Sequence, residues 1–206
     1  MVDREQITMI CEGLVEELFD PTEFEILRVS GGFDVFKKVP FCLVDFRRRG
    51  WEGHVDCTSY CYDAVRDYGY RECDEDDEEC LNELKEDCVD YCKDKLKIAL
   101  TGSISFDPVT LEVFSSTIPT DCRNVWDVED YCDEEDEDFE SIEERKREEI
   151  RKYGCKPEKA DWIHPHEMVP LDMPELGDVE YPAVCYYHIK DCRVRNILRI
   201  VKNDVI

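Results

Sequence analysis

Apolar residues near the start of the chain recur at the spacing of one helix face. The stripe consists of Ile7, Ile10, Cys11, Leu14, Val15 and Leu18. Steps of three and four residues are typical of an amphipathic helix. The pattern predicts a helix over residues 3–19, because Pro21 disfavours helical backbone at the residue before it. Cys11 lies on the stripe, so we expect a core residue or a disulfide half rather than a reactive thiol.

Alternating apolar and polar positions follow this helix and indicate strands. Phe24 and Ile26 alternate with glutamates, the Ser-Gly-Gly sequence at 30–32 predicts a turn, and an apolar run covers residues 39–46. Two or three antiparallel strands are expected there. A second strand pair is predicted over 103–115, around the turn that begins with Asp107-Pro108.

The segment 56–100 carries two helical stripes whose registers run in opposite directions. The positions that face one another are Cys57 with Cys92, Cys61 with Cys88, Val65 with Leu84, and Tyr68 with Leu81. Residue numbers increase along the first stripe where they decrease along the second, as two antiparallel helices that face each other require. We therefore predict a helical hairpin over 56–100, with Cys73 and Cys80 on either side of its acidic turn.

Cysteines at these positions allow two interpretations. The favoured one is a set of disulfides: Cys57–Cys92, Cys61–Cys88 and Cys73–Cys80. The alternative is a four-cysteine zinc site formed by Cys57, Cys61, Cys88 and Cys92, because sulfurs four residues apart lie on one helix face. Zinc sites of this kind more often use Cys-x2-Cys spacing. An odd total of 13 cysteines leaves at least one without an intramolecular disulfide partner.

Two partial resemblances concern this cysteine-rich segment. Its twin Cys-x3-Cys pattern resembles the helical hairpins of the small mitochondrial Tim chaperones, which implies a similar hairpin geometry over about 45 of the 206 residues and no activity. The sequence Cys61-Tyr62-Asp63 is similar to the core helices of secreted phospholipase A2. That family uses a His-Asp pair, and this chain has Ser59-Tyr60 where the histidine is needed, so the resemblance implies no phospholipase activity.

The last third of the chain predicts a charged helix, a loop and two strands. Over 133–154 acidic residues come first and basic residues later, which matches the helix dipole and indicates one long solvated helix. Residues 156–182 are rich in proline and predict an irregular loop. Residues 183–206 predict two strands, with Cys185 and Cys192 as a disulfide candidate across their turn.

Composition suggests where such a protein works. The chain has 13 cysteines, one glutamine, four asparagines and 38% charged residues. This combination is typical of hyperthermophiles, whose intracellular proteins include disulfide-rich examples. The first residues lack the basic and apolar regions of an export signal, and no run is long enough to span a membrane. We expect the host cytoplasm or a virion, with a secreted mature chain as the alternative.

The formal net charge of −26 limits the partners. Without a basic stripe, direct binding to nucleic acid is not expected. A protein partner of basic character fits this charge, and an acidic mimic of nucleic acid is a further alternative.

One cluster resembles a metal site. The residues His164, His166 and Glu167 offer two imidazoles and a carboxylate, which is a possible ligand set for a divalent metal. The alternative interpretation is purely structural: a proline-rich loop that carries two histidines. Neither a phosphate-binding loop nor a nucleophile elbow is present in the sequence. We expect no catalytic residues and no cofactor.

These patterns together predict one disulfide-rich α+β domain over 1–206. It combines an N-terminal helix, a small antiparallel sheet, a disulfide-stapled antiparallel helical hairpin and one long charged helix. The favoured function is a non-enzymatic structural or protein-interaction protein of a hyperthermophilic archaeon or its virus, either a virion component or a host-protein binder. The alternatives are a metal-binding protein or metal-dependent enzyme at the His-Pro-His-Glu segment, and an acidic nucleic-acid mimic.

Overall fold

A computed structural model describes residues 3–51, 57–68, 73, 77–121, 138–158, 161–163 and 184–203. These residues form a mixed α+β fold, so the predicted fold class is confirmed. The helices are α1 (Arg4–Leu18), α2 (Cys57–Tyr68), α3 (Glu78–Ala99), α4 (Asp138–Lys152) and α5 (Val194–Lys202). The strands are β1 (Phe24–Asp34), β2 (Val39–Arg48), β3 (Gly102–Phe106), β4 (Val113–Asp121), β5 (Lys156–Pro157), β6 (Asp161–Ile163) and β7 (Val184–Lys190).

The strands form one antiparallel sheet in the order β1-β2-β3-β4-β7-β5, and β6 also pairs with β7. β7 lies between β4 on one side and the two short strands β5 and β6 on the other. Strand pairing places Asp45, Ser103, Thr117 and His188 in one row across four neighbouring strands. The turns that follow β1, β3 and β7 therefore lie at the same end of the sheet.

Helix α1 begins at a capping box and packs on the first two strands. The Asp3 side chain accepts the backbone N–H of Gln6, and the Gln6 side chain accepts the backbone N–H of Asp3. Ile7, Cys11 and Val15 are buried on the stripe that the sequence predicts. Cys11 is bonded to Cys42 of β2, so the helix is covalently attached to the sheet.

The predicted turn at residues 30–32 is wrong, because β1 continues through these residues to Asp34. The two glycines serve close packing instead. A Cβ atom on Gly31 would lie 2.5 Å from the backbone nitrogen of Thr8, and one on Gly32 would lie 2.6 Å from the ring of Phe41. Since α1 and Phe41 occupy that space, a side chain at either position would displace them.

The core lies between one side of the sheet and the helices α1 and α5. Cys42, Val44 and Phe46 of β2 are fully buried on that side. The Phe46 ring packs edge-on against Phe19 and Phe24, with ring centroids 5.5 and 5.6 Å away. These aromatic contacts join the end of α1 to the first two strands.

The C-terminal segment is a helix, which corrects the strand predicted over Val194–Val201. Its buried side chains are Val194, Ile197, Leu198, Ile200 and Val201. Most are three or four residues apart, which is a helical period, although four of the five side chains are β-branched and favour strands in isolation. The ion pair between Arg195 and Glu17, with N···O at 3.0 Å, also links α5 to α1.

Candidate functional site

Two disulfides join α2 to α3. The sulfurs of Cys57 and Cys92, and those of Cys61 and Cys88, lie at bonding distance. A third disulfide joins Cys73 to Cys80. These are the three pairs that the sequence register predicts in this segment. Because the sulfurs of α2 and α3 bond to each other, these residues do not form the alternative four-cysteine zinc site in this structure.

The predicted Cys185–Cys192 pair is wrong, because Cys192 is bonded to Cys155. The prediction assumed that a strand followed the turn after β7. The chain instead enters α5 there, and Cys192 lies beside the connection that leaves α4. Cys185 lies in β7, and its backbone pairs with Thr120 and Trp162.

The candidate metal ligands His164, His166 and Glu167 lie outside the described residues. Within the described ranges no three His, Cys, Asp or Glu side chains are grouped closely enough to hold a metal ion. The metal-binding hypothesis therefore stays a prediction from sequence.

Three turns with unusual backbone conformation meet at one end of the sheet, which we call the loop end. It comprises the β1–β2 turn (35–38), the β3–β4 turn (107–112) and the β7–α5 connection (191–193). Each contains a non-glycine residue with left-handed backbone: Lys38 at φ 57°, Leu111 at φ 60° and Asp191 at φ 51°. Such residues are uncommon and often lie at functional sites. Together they identify the loop end as the candidate site.

Two of these turns are held by the same pattern of hydrogen bonds to an aspartate. The Asp34 carboxylate accepts the backbone N–H groups of Phe36 and Lys37, each at 2.9 Å. The Asp107 carboxylate likewise accepts the N–H groups of Val109 at 2.7 Å and Thr110 at 3.1 Å. Aspartates in this role fix the turn backbone. Each turn is therefore held by an aspartate that begins it or directly precedes it.

An apolar side chain projects from each of these turns. Phe36 is 94% exposed and Val109 is 83% exposed. Each lies two residues after the aspartate that fixes its turn. Because the backbone of each turn is already fixed, a partner that covers these side chains has less backbone freedom to restrict. Phe36 and Val109 are thus pre-positioned for contact.

An apolar cleft of about 820 Å³ opens at the loop end. Ile7 and Ile10 of α1 form one wall, and the other walls are contributed by Phe33, Pro40, Pro108 and Val109. Ile10 and Phe33 are each about half exposed. Apolar surface left open to water in this way is typical of interaction or ligand sites.

A second cavity at the loop end is polar. It has a volume of about 610 Å³ and is lined by Lys37, Glu112, Val113, Phe114, Gly154, Asp191, Cys192, Arg193 and Asn196. We call it the polar pocket. Lys37, at the β1–β2 turn, and Cys192, in the disulfide to Cys155, both belong to its wall.

The sequence reveals the turns of this site more readily than its exposed side chains. The Asp-Pro pair at 107–108 predicts the β3–β4 turn, but no pattern in the sequence identifies Phe33 as a residue of the cleft. Alternation indicates which residues share a face of a strand and does not indicate where a strand ends. The Asp34-x-Phe36 spacing, repeated as Asp107-x-Val109, is the signal that identifies both exposed residues.

Comparison with protein-family models, with curated proteins and with solved structures finds no match to this chain. Of the helices in the described part of the chain, none has the length and apolar character needed to cross a membrane.

Proposed function

We propose that this protein is a non-enzymatic, disulfide-stabilised interaction protein that binds a partner protein through the loop end. One observation carries the proposal: Phe36 and Val109 project from two aspartate-fixed turns at the loop end, where Val109 also lines an apolar cleft. Apolar anchors in a rigid setting around a concave surface are the usual source of binding energy in protein interfaces.

The chemistry of the partner segment follows from the cleft and the charge. Apolar side chains of the partner fill the cleft formed by α1, Phe33 and Pro108. The net charge of −26 attracts basic residues on either side of that apolar segment. A second copy of this chain is disfavoured as the occupant, because each copy carries the same charge. Association between copies through the cleft is therefore an outcome that would contradict the proposal.

The covalent framework is the second part of the proposal. We take residues 56–100 as an antiparallel hairpin stapled by Cys57–Cys92 and Cys61–Cys88, and residues 133–154 as a long charged helix, both within one domain over 1–206. Disulfides and surface ion pairs suit a protein that must stay folded at high temperature. We therefore propose an origin in a hyperthermophilic archaeon or its virus, with the host cytoplasm or a virion as the site of action. A melting temperature in the range of ordinary mesophilic domains would contradict this origin.

The binding claim is tested by selection from a library of displayed random peptides. The library is panned against the folded wild-type protein and counter-selected against the Phe36→Ser/Val109→Ser variant. We expect enrichment of apolar peptides flanked by Lys or Arg. Their affinity should fall about tenfold or more for the double variant, because both anchors are removed.

A matched control keeps the selection specific. Ile98 is 73% exposed on α3, away from the cleft-lining residues, so Ile98→Ser removes similar apolar surface without touching the loop end. The selected peptides should bind this variant as they bind wild type. Equal loss of binding in both variants, or enrichment of acidic peptides, would contradict the proposal.

A further inference from the structure

The polar pocket is lined by two cationic side chains that form no ion pair in the described part of the chain. They are Lys37, from the β1–β2 turn, and Arg193, which directly precedes α5. The Lys37 ammonium lies over the face of the Phe114 ring, 4.7 Å from its centroid. That contact orients the ammonium but leaves its charge uncompensated.

Other cations of the described residues, such as Arg28 and Lys93, also form no ion pair, but Lys37 and Arg193 line the same pocket. The chain has 52 acidic and 26 basic residues. Some nearby cations are paired, as in Lys156 with Asp191, Lys190 with Glu158, and Arg195 with Glu17. Two unpaired cations that line the same pocket therefore offer two positive charges to an anion on a strongly negative protein.

Two carboxylates, Asp191 and Glu112, also line the pocket. Asp191 is held by Lys156, with N···O at 3.6 Å. Glu112 is the other carboxylate of the lining, and its backbone is bridged to that of Arg193, although their side chains form no ion pair. The Asn196 side-chain amide adds uncharged donors and forms no hydrogen bond to other described residues.

The backbone around the pocket is fixed. The N–H of Val113 donates to the carbonyl of Cys192 at 2.8 Å, and the N–H of Val194 donates to the carbonyl of Leu111 at 3.1 Å. The disulfide from Cys192 to Cys155 attaches the same connection to the end of α4. Because these bonds hold the walls, little conformational entropy is lost when a ligand binds.

We propose that the polar pocket binds a small phosphate-bearing molecule. The ammonium of Lys37 approaches from the β1–β2 turn, and the planar fork of Arg193 and the amide of Asn196 approach from the start of α5. Donors on two sides of the pocket suit a tetrahedral oxyanion, which offers acceptors in several directions, better than a planar carboxylate. The same chemistry covers inorganic phosphate and phosphate esters.

The test is isothermal titration of the folded, disulfide-intact protein with inorganic phosphate, at an ionic strength held constant with sodium chloride. Malonate serves as the carboxylate probe. The Lys37→Met/Arg193→Gln variant removes both cations. The Lys93→Met/Arg28→Gln variant removes the same charge from residues that do not line the pocket. Circular dichroism checks that both variants fold.

We expect saturable phosphate binding to wild type and to the Lys93/Arg28 variant. Affinity should fall about tenfold or more in the Lys37/Arg193 variant, because two charge-assisted contacts are lost. Three results would overturn the proposal: no saturable phosphate binding to wild type, equal affinity in both variants, or malonate binding as tightly as phosphate. If the Lys37/Arg193 variant fails to fold, the single variant Lys37→Met is used, since this exposed residue lies in a turn.

Discussion

The hydroxyl of Ser116 forms two hydrogen bonds with the backbone of Ile189. It donates to the Ile189 carbonyl at 2.7 Å and accepts from the Ile189 N–H at 3.2 Å. Both residues are buried, and on its other side Ile189 faces Pro157, which has no N–H to donate. One small side chain therefore satisfies polar backbone groups between β4 and β7.

Replacing Ser116 with alanine should destabilise the protein by about 1–3 kcal/mol, since it leaves a buried N–H and C=O without this partner. Denaturant unfolding followed by circular dichroism measures the change. The neighbouring Ser115 is exposed, so Ser115→Ala is a matched control that should change the free energy of unfolding by less than about 0.5 kcal/mol. Similar losses for both variants would contradict the assignment.

The disulfides should differ in how much they stabilise the protein, according to the length of the loop that each closes. Cys11–Cys42 spans a sequence separation of 31, and Cys73–Cys80 spans 7. Loop entropy predicts that replacing both cysteines by alanine costs roughly 3–4 kcal/mol for the first pair and roughly 2–3 kcal/mol for the second. Denaturant unfolding of the two double variants under non-reducing conditions measures both. A larger loss at Cys73–Cys80 would show that loop closure is not the main contribution.

Tyr186 links the sheet to the end of α3. It should make a pH-dependent contribution to the free energy of unfolding. Its hydroxyl donates to the Ala99 carbonyl at 2.6 Å, and burial raises the pKa of the phenol above its usual value. A raised pKa means that the folded state keeps its proton where the unfolded state loses it. The stabilisation is thus complete below the unfolded pKa of about 10 and is lost as the pH rises through the folded pKa.

The Tyr186→Phe variant isolates this effect. At about pH 8 wild type should be more stable than the variant by about 1 kcal/mol, the usual net value of one hydrogen bond. The difference should shrink as the pH is raised towards about 11, because unfolded tyrosine ionises. Urea unfolding at several pH values provides the comparison, and a difference that grows with pH would contradict the predicted sign.

The left-handed backbone at Lys38 gives an unusual prediction for a turn residue. At φ 57° a side chain is strained, whereas glycine is not. We expect Lys38→Gly to raise the free energy of unfolding by up to about 1 kcal/mol. Lys38→Ala keeps the strain and should not stabilise. A destabilised glycine variant, measured by thermal unfolding, would show that the Lys38 side chain contributes more than the strain costs.

Local repetition in the sequence predicts part of this fold well. The stripe of α1 and the three cysteine pairs of residues 57–92 follow from periodicity, because both depend on residues that are neighbours along one helix or across two consecutive helices. The charged segment 133–154 contains α4, although the described helix begins only at Asp138.

Tertiary packing determines the features that the sequence does not predict. Gly31 suits a turn in isolation, and only the position of α1 shows that it serves close packing. The bonds of Cys11 to Cys42 and of Cys155 to Cys192 join elements with no local register to each other. Exposure of Phe36 likewise depends on where β1 ends.

Photo-crosslinking is the most direct test of the central claim that the loop end binds a partner protein. A photoreactive phenylalanine analogue is placed at position 36, 109 or 98, and each folded protein is irradiated in a lysate of the source organism. Crosslinked proteins are identified by mass spectrometry, and binding is repeated with the purified partner. We predict one and the same protein from positions 36 and 109, absent from position 98, with affinity lost in Phe36→Ser/Val109→Ser. The same products from all three positions, or none from 36 and 109, would contradict the account.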